Sequence, residues 1–357
     1  MGKRIDKLIN KMSIDGIDVF VATRYSDIRY LSNFTGEEGT TVLIISEKKK
    51  YLITDGRYIS QAKQESESFE VILYHSQIGL FGQACLLLKD LCIKNIVVDM
   101  KAISHADYLS LSGNGKLNIE DAKSYLADMR KIKDEKEIES IRKACNISDV
   151  AFGAVLNVIK SGMTEIDIVS ELEYQFFKNG GDGIAFPTIV ASGPVNGTNC
   201  HATPTFRKII KGDLITMDFG CTYEGYCSDI TRTIAIGDPD PKLVEIYRIV
   251  KQAKADALAV LKAGVTLKEI DAACKKIISA NGHTIPHGIG HSFGYDIHEA
   301  PFISPRVDYA MECNIVHTLE PGIYIQGLGG IRIEDDYLIK EDGAEQLTHC
   351  CDDLIIL

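Results

Sequence analysis

The feature that most constrains the fold is an internal repeat in the last two-thirds of the chain. Residues 160–164 (KSGMT) are matched by residues 262–266 (KAGVT), an offset of 102 positions. In each copy we expect a glycine to cap one helix and a threonine to begin the next. A glycine-rich loop and a strand pair follow in both copies. Two copies of this length are too few for a solenoid. The pattern therefore predicts one domain of two helix–sheet halves, related by a pseudo-two-fold axis.

The same offset relates two acidic residues. Asp218, in LITMDFG, corresponds to Glu320, in VHTLEPG. Each half then turns and presents a second acid on a returning strand, Asp229 in YCSDITRT and Glu334 in GIRIE. The symmetry would bring the four carboxylates together. Any one of them alone could be a solvent-facing charge at a strand edge, but the matched positions in apolar strands argue against that interpretation for all four.

Four buried carboxylates require a cation, because desolvation and mutual repulsion would otherwise force them to take up protons. Two divalent ions balance the four negative charges. His291, in HGIGHSFG between the two hairpins, offers a nitrogen ligand. This oxygen-rich set favours manganese over a structural zinc site. We expect two divalent metal ions, Mn²⁺ first, with Co²⁺, Zn²⁺ or Fe²⁺ as alternatives.

The N-terminal third predicts a separate α/β domain, and 357 residues suit two domains. Short β-branched runs predict buried strands at residues 19–21, 41–45, 51–53, 71–73 and 96–98, with helices at 5–12, 58–64 and 81–91. A long polar helix at residues 134–159 follows a charged segment that is typical of a domain junction. The predicted fold class is α+β, with a smaller α/β domain over residues 1–122 and a larger domain over residues 123–357, which carries the four acids.

Charge and composition exclude several classes of function. The formal net charge of −11 repels phosphate backbones and anionic lipid, so neither nucleic acid nor a membrane is expected as the main partner. No apolar run is long enough to span a bilayer, and the N-terminus lacks a signal-peptide core, so we expect a cytoplasmic protein. Ten cysteines occur without a CxxC pair. Cys85, Cys92, Cys145 and Cys274 stand in apolar helix-like stretches, which predicts reduced, mostly buried thiols.

The order Asp218, Asp229, His291, Glu320, Glu334 resembles that of the M24 metallopeptidases, which include aminopeptidase P, prolidase, methionine aminopeptidase and creatinase. The motifs MDFG, SDITRT, HGIGH, TLEPGIY and GIRIED carry this resemblance. The N-terminal third is also similar to that of the Xaa-Pro-cleaving branch, in residues 25–36 and 54–58. The resemblance implies a pita-bread fold for the catalytic domain and a creatinase/prolidase-like N-terminal domain. It further implies a dinuclear exopeptidase that cleaves Xaa-Pro bonds in dipeptides or at the N-terminus of longer peptides.

The resemblance also implies catalytic roles. Glu320 would accept a proton from a water bridging two metal ions, whose pKa the metals lower toward neutrality. His201 and His298 would hydrogen-bond the substrate carbonyl or shuttle protons, and His287 would line the proline pocket. Proline-containing peptides are the expected substrates, and a homodimer is expected.

Two further residues follow from strand spacing. Arg332 precedes Glu334 by two positions, so both side chains would face the carboxylate cluster, where a guanidinium could hold the acids. Tyr324, four residues after Glu320, would point the same way. His317, three residues before Glu320, would face away and receives no role.

Other functions stay open at this point. A non-catalytic peptide- or protein-binding module could use the same fold, although such relatives lose the metal ligands. Methionine-aminopeptidase-like specificity would leave residues 1–122 unexplained, and the creatinase branch lacks the ligands. A cysteine-based redox or zinc-binding protein would show thiol-dependent activity. Substrate length and the native metal are not determined by the sequence.

Overall fold

The computed structural model of the protein describes residues 2–91, 93, 95–113, 115–122 and 125–357. Cys92 and Lys123, the predicted first residue of the second domain, lie outside the described residues. The chain divides into two compact units, Met1–Met129 and Arg130–Leu357. The domain boundary at 122/123 stays a prediction.

The first unit is built on a six-stranded mixed sheet with the order β4-β3-β2-β1-β5-β6. Its strands are β1 Val19–Ala22, β2 Val42–Ser46, β3 Lys50–Thr54, β4 Glu70–Leu73, β5 Ile96–Val98 and β6 Ile119–Asp121. The helices of this part of the chain are α1 Gly2–Ile14, α2 Tyr25–Ser32, α3 Ile59–Glu65, α4 Leu80–Asp90, α5 His105–Leu111 and, at the junction, α6 Tyr125–Lys131. The five predicted strands and three predicted helices are confirmed. Sequence patterns missed β6 and the short helices α2, α5 and α6.

One strand of this sheet differs from its prediction. The run at residues 71–73 predicts a buried strand, but in β4 the Leu73 side chain is exposed and its neighbours are only partly buried. The prediction of burial is wrong because β4 lies at the edge of the sheet. An edge strand has a neighbour on one side only, so less of its surface is covered.

The second unit contains four long helices and several small sheets. Its helices are α7 Glu135–Leu156, α8 Glu165–Lys178, α9 Pro241–Val260 and α10 Leu267–Ala280. Its strands are β7 Gly183–Ile184, β8 Ile189–Ser192, β9 Leu214–Phe219, β10 Cys221–Tyr223, β11 Tyr226–Cys227, β12 Ile230–Ala235, β13 His291–Ser292, β14 Glu299–Phe302, β15 Val316–Leu319, β16 Gly322–Ile325, β17 Gly329–Arg332, β18 Asp335–Ile339 and β19 Ala344–Gln346. The predicted α+β class is confirmed.

The predicted repeat is visible in the backbone. Thr164 and Thr266 are the N-caps of α8 and α10, and each forms a capping box with the acid three residues on. The same 102-residue offset relates the isolated bridges Thr164–Lys208 and Thr266–Ala310. Each preceding helix therefore leads into the same turn, the same short bridge and the same second helix.

The predicted glycine caps are wrong. Helix α7 has Asn157 as its C-cap and α9 has Leu261. Gly162 and Gly264 lie further along, in the turns that follow, with φ of +95° and +85°. Glycine is needed there for the left-handed turn into the next helix rather than for the end of the previous one.

Each half packs its two helices on a sheet that carries acidic residues. In the first half, α7 and α8 cover the sheet β12-β9-β8. Phe219 of β9 stacks between Phe152 and Phe176, with ring centroids 6.0 and 6.2 Å apart. In the second half, α9 and α10 pack against β15, β16, β17 and β18 through a continuous apolar core. The opposite faces of the acid-bearing strands are thereby held by packed helices.

Two further findings concern the predictions from composition. Among the helices that the structure describes, none combines the length and apolarity needed to cross a membrane. The described cysteines are free thiols, and Cys85, Cys145 and Cys274 are buried as predicted.

Candidate metal centre

The four predicted acids stand at matching places in the two halves. Asp218 lies in β9, and Asp229 directly precedes β12, the antiparallel partner of β9. Glu320 directly follows β15, and Glu334 directly precedes β18, the antiparallel partner of β15. His291 begins β13, which pairs with the other side of β15. Each half therefore delivers two acids from one antiparallel pair of strands.

A cavity of about 480 Å³ within the second unit collects these residues. Its lining includes every residue predicted for the site: Asp218, Asp229, His291, Glu320, Glu334, His201, His287, His298 and Arg332. The structure thus brings together side chains that are up to 133 positions apart in the chain, from His201 to Glu334.

The donor atoms lie at distances suited to metal coordination. Nε2 of His291 is 3.5 Å from Oδ2 of Asp229 and 3.5 Å from Oε1 of Glu320. One donor atom from each of Asp229, His291 and Glu334 lies within 4.8 Å of the other two. A cation between them could contact all three with small side-chain adjustments.

The electrostatics of the cluster call for a cation. Burial, reinforced by the Glu334 and Asp218 carboxylates, raises the pKa of Asp229 well above its ordinary value. Burial and the neighbouring acids do the same to the pKa of Glu334, and burial raises the pKa of Glu320 to about 8. Burial lowers the pKa of His291 to about 3, so its imidazole is neutral and available as a ligand. Without a cation, protons must replace the missing positive charge.

One oxygen of the cluster has no hydrogen-bond partner within the described residues. Oδ1 of Asp218 is buried and unpaired, whereas Oδ2 of the same carboxylate accepts a hydrogen bond from Arg332. A buried carboxylate oxygen without a donor is costly unless a ligand satisfies it. Carboxylate oxygens with one neutral imidazole form a hard donor set that suits divalent cations. The residues present therefore fit the expected metal ions.

Arg332 lies beside the acids, on the side where strand spacing places it. Its Nη2 donates to Oδ2 of Asp218 at 2.5 Å, and its Nη1 donates to the hydroxyl of Tyr324 at 2.6 Å. Burial lowers the pKa of the Arg332 guanidinium, but the neighbouring Tyr324, Asp218 and glutamates outweigh this effect. The pKa therefore lies well above its ordinary value. Arg332 is therefore a fixed positive charge that orients one acid of the cluster.

Sequence patterns missed Thr231, a residue of the first half that contacts both Arg332 and Glu334 of the second half. The Thr231 hydroxyl accepts from Nε of Arg332 at 3.0 Å and donates to Oε2 of Glu334 at 2.6 Å. Thr231 stands two residues after Asp229, so strand alternation places both side chains on the same face. That spacing was the available signal.

The predicted histidines lie around the acids. The ring centroid of His298 is 4.5 Å from that of His291. Nε2 of His287 is 3.1 Å from the Tyr324 hydroxyl, and burial lowers the pKa of His287 to about 4. Burial also lowers the pKa of His298. His201 lines the same cavity on a solvent-exposed loop.

The remaining lining is largely apolar. It includes Phe186, Pro187, Ile189, Ile297, Phe302 and Ile303. An apolar wall beside a polar cluster is the usual composition of a site that orients a small organic substrate.

Comparison with known proteins identifies two matching families. The metallopeptidase family M24 matches residues 139–341, and the creatinase/prolidase N-terminal domain matches residues 4–132. An uncharacterized peptidase of Bacillus subtilis, YqhT, is 38% identical over 99% of this chain and 100% of its own length.

Solved structures agree over the whole chain. An Xaa-Pro dipeptidase from Bacillus anthracis superposes with a TM-score of 0.93 at 36% identity, covering 99% of each chain. An X-Pro aminopeptidase from Thermotoga maritima has a TM-score of 0.92 at 38% identity, again covering 99% of each chain.

Proposed function

We propose, from the premise that the chain belongs to the M24 metallopeptidase family, that it is a dinuclear exopeptidase cleaving the bond between an N-terminal residue and proline. Family membership makes the protein a metallopeptidase. One observation carries the proposal furthest: four carboxylates and a neutral histidine from two duplicated halves line one cavity that also has an apolar wall.

The proposed metal ligands are the four acids and the histidine of the cluster: Asp218, Asp229, His291, Glu320 and Glu334. Two divalent ions bound there would supply Lewis acidity toward the substrate carbonyl and lower the pKa of a water toward neutrality. Manganese is our first candidate, with cobalt, zinc and iron as alternatives, because the donor set is rich in oxygen.

The protein's own groups would handle the protons and the developing charge. Glu320 is the proposed proton acceptor, through a carboxylate oxygen facing the cavity. Because its pKa is lowered, the His298 imidazole is neutral at pH 7 and can donate one N–H to the substrate carbonyl oxygen. His201, on the same cavity wall, is the proposed partner for the leaving nitrogen.

Proline selection would come from the apolar side of the cavity. A proline ring buries apolar surface and has no N–H once it is in a peptide bond, so an apolar wall accepts it without leaving a donor unpaired. Phe302 and Ile303 belong to this wall, and His287 lies next to it. The Tyr324 hydroxyl within hydrogen-bond reach of His287 would keep that ring in one orientation.

Both substrate lengths are included in the proposal. The printed names of the two solved relatives are an Xaa-Pro dipeptidase and an X-Pro aminopeptidase. Both are similar to this chain over nearly its entire length, so they support the linkage that is cleaved and leave the length of the peptide to experiment.

The test is a matched panel of peptides on the metal-stripped protein. Xaa-Pro dipeptides, Xaa-Pro-Yaa tripeptides and the corresponding Xaa-Ala peptides would be assayed with manganese, cobalt or zinc added back. We expect metal-dependent release of the N-terminal residue from the proline peptides and far slower cleavage of the alanine peptides. Equal rates for both series would refute the proline pocket. A protein that takes up no stoichiometric metal and hydrolyses no peptide would instead favour the binding-module alternative.

The cellular setting is part of the same proposal. Free thiols throughout the described residues support a reducing compartment, and we propose the cytoplasm. The proposed homodimer would be checked by light scattering, where a mass near 39.3 kDa would contradict it.

A further inference from the structure

One of the buried carboxylates of the second unit that lie outside the metal cluster is held entirely by hydrogen-bond donors of a single loop. Glu165, the first residue of α8, is fully buried. Five hydrogen bonds converge on its two oxygens. Oε1 accepts from the backbone N–H and the hydroxyl of Ser192 at 2.8 and 2.7 Å. Oε2 accepts from the side-chain amide of Asn196 at 2.8 Å, and from the N–H and hydroxyl of Thr205 at 2.8 and 2.7 Å.

These donors belong to a single segment, residues 192–205, which carries His201. Ser192 is the last residue of β8, and Thr205 follows the loop, so Glu165 holds both ends of the segment and a point inside it. The middle of the segment is held separately, because the carbonyl oxygen of Cys200 accepts from Nη1 of Arg332 at 2.9 Å. The neighbour of His201 is thus fixed directly to the arginine that orients the metal cluster.

The second half of the repeat shows that a helix at this position does not require an acid. Leu267 begins α10 at the position that corresponds to Glu165, and it is also fully buried. Both helices have a threonine N-cap with a complete capping box, so the start of each helix is satisfied without Glu165. At this position the first half therefore has a buried carboxylate, whereas the second half has an apolar residue.

We propose that Glu165 is a positioning residue that holds the His201 loop against the metal cavity. We call the five hydrogen bonds between Glu165 and residues Ser192, Asn196 and Thr205 the clamp. The catalytic consequence of the clamp rests on the proposed peptidase function, whereas the clamp itself is a property of the folded chain. The backbone N–H groups of Ser192 and Thr205 and the side-chain NH₂ of Asn196 can only donate, and at least one of them faces each carboxylate oxygen, so both oxygens must be acceptors. Glutamine has the same shape but turns an NH₂ group toward donors, which opens the clamp on one side.

The catalytic test is a double-mutant cycle. Glu165→Gln should lower kcat/KM for an Xaa-Pro dipeptide by about 100-fold, a typical effect of a small misplacement of a catalytic group. In a His201→Ala background the same substitution should change kcat/KM by less than about twofold, because its target is gone. If Glu165→Gln lowers kcat/KM by the same factor with and without His201→Ala, Glu165 is merely structural. An unchanged kcat/KM for the single variant would also overturn the proposal. Glu173→Gln, on the same helix and away from the clamp, is the charge-matched control and should retain full activity.

A second measurement needs neither metal nor activity. Phe206 is 81% exposed and directly follows the clamped Thr205. Chymotrypsin cleavage of the metal-free protein after Phe206, followed by mass spectrometry, should accelerate roughly tenfold in Glu165→Gln, since each lost hydrogen bond to a charged group is worth about that factor. Cleavage after the exposed Phe177 serves as an internal reference and should not change.

The two measurements separate the clamp from the proposed function. If Glu165→Gln does not fold, Thr205→Val removes one hydroxyl donor to Glu165, together with the hydrogen bond that this hydroxyl accepts from the Arg207 N–H, and should accelerate the same cleavage by a smaller factor. Loop cleavage that is equal in all variants would refute the clamp. An accelerated cleavage in a protein that hydrolyses no Xaa-Pro peptide would leave the clamp standing and refute the peptidase function instead.

Discussion

Removing the metal should make the stability of the catalytic unit depend on pH in a way that one substitution can isolate. In the metal-free protein, burial raises the pKa of Glu320 to about 8 from an ordinary 4.5. The folded chain then binds this proton more tightly than the unfolded chain. The resulting stability is fully present below pH 4.5 and is lost as the pH rises toward 8.

The informative window is pH 6.5 to 8. Burial lowers the pKa of His291 to about 3 and of His287 to about 4, from an ordinary 6.5. Below pH 6.5 the unfolded chain therefore binds more histidine protons, which gives a slope of opposite sign. Between pH 6.5 and 8 the histidines of the unfolded chain lose their remaining protons, so this opposing slope fades and the carboxylates come to dominate the change.

The magnitude follows from the pKa of Glu320. At about 1.4 kcal/mol per pH unit, this group alone removes up to about 2 kcal/mol of unfolding free energy between pH 6.5 and 8. The Glu320 side chain is 17% exposed, so solvent screening reduces the value somewhat. The raised pKa values of Asp229 and Glu334 add to the loss in the same direction.

Hydrogen exchange measures this effect within the catalytic unit. Backbone amides of β15 would be followed in chelator-treated protein at pH 6.5 and 8, after correction for the intrinsic exchange rate. Over this range the unfolding free energy of Glu320→Gln should fall by about 2 kcal/mol less than that of the wild type. Glu341→Gln, which replaces an exposed acid, should match the wild type. A wild-type protein whose stability is constant or rises from pH 6.5 to 8, or a Glu320→Gln variant with the wild-type slope, would refute the reasoning.

Three further outcomes are expected. Asp229→Asn should abolish stoichiometric metal by elemental analysis while leaving the far-UV circular dichroism spectrum unchanged, and a variant with wild-type metal content and activity would contradict the ligand assignment. Gly290→Ala would place a Cβ 2.1 Å from the carbonyl oxygen of Thr318, so calorimetry should show a destabilisation of about 1–3 kcal/mol together with weaker metal binding; a neutral result would contradict the close approach. Glu299→Gln should cost about 3–5 kcal/mol in urea denaturation, because it leaves the buried Lys133 ammonium, 3.2 Å from the glutamate, without its ion-pair partner; a loss below about 1 kcal/mol would show that water reaches this pair.

Much of the fold was predictable because its signals are local. The capping box at Asp134 begins α7 where the charged segment predicts a helix, and Thr164 and Thr266 begin α8 and α10. Burial was less predictable. The β4 run has the composition of an interior strand, yet its place at the sheet edge leaves Leu73 exposed.

The site divides in the same way. The repeat offset led directly to Asp218 and Glu320, because duplicated strands place equivalent side chains at equivalent positions. Arg332 followed from strand alternation. Thr231 and Glu165 were missed, since the role of each depends on partners that no nearby sequence indicates.

The sequence by itself determined the two-fold plan of the second unit, the chemical identity of the side chains proposed to bind metal and the excess of negative charge that a cation must balance. Only the tertiary structure decided which polar groups hold those side chains in place. Hydrogen bonds such as Arg332 to Asp218 and Thr231 to Glu334 join residues more than 100 positions apart. Their geometry arises from the packing of one half against the other, whereas sequence periodicity reports only on neighbours within a helix turn or a strand.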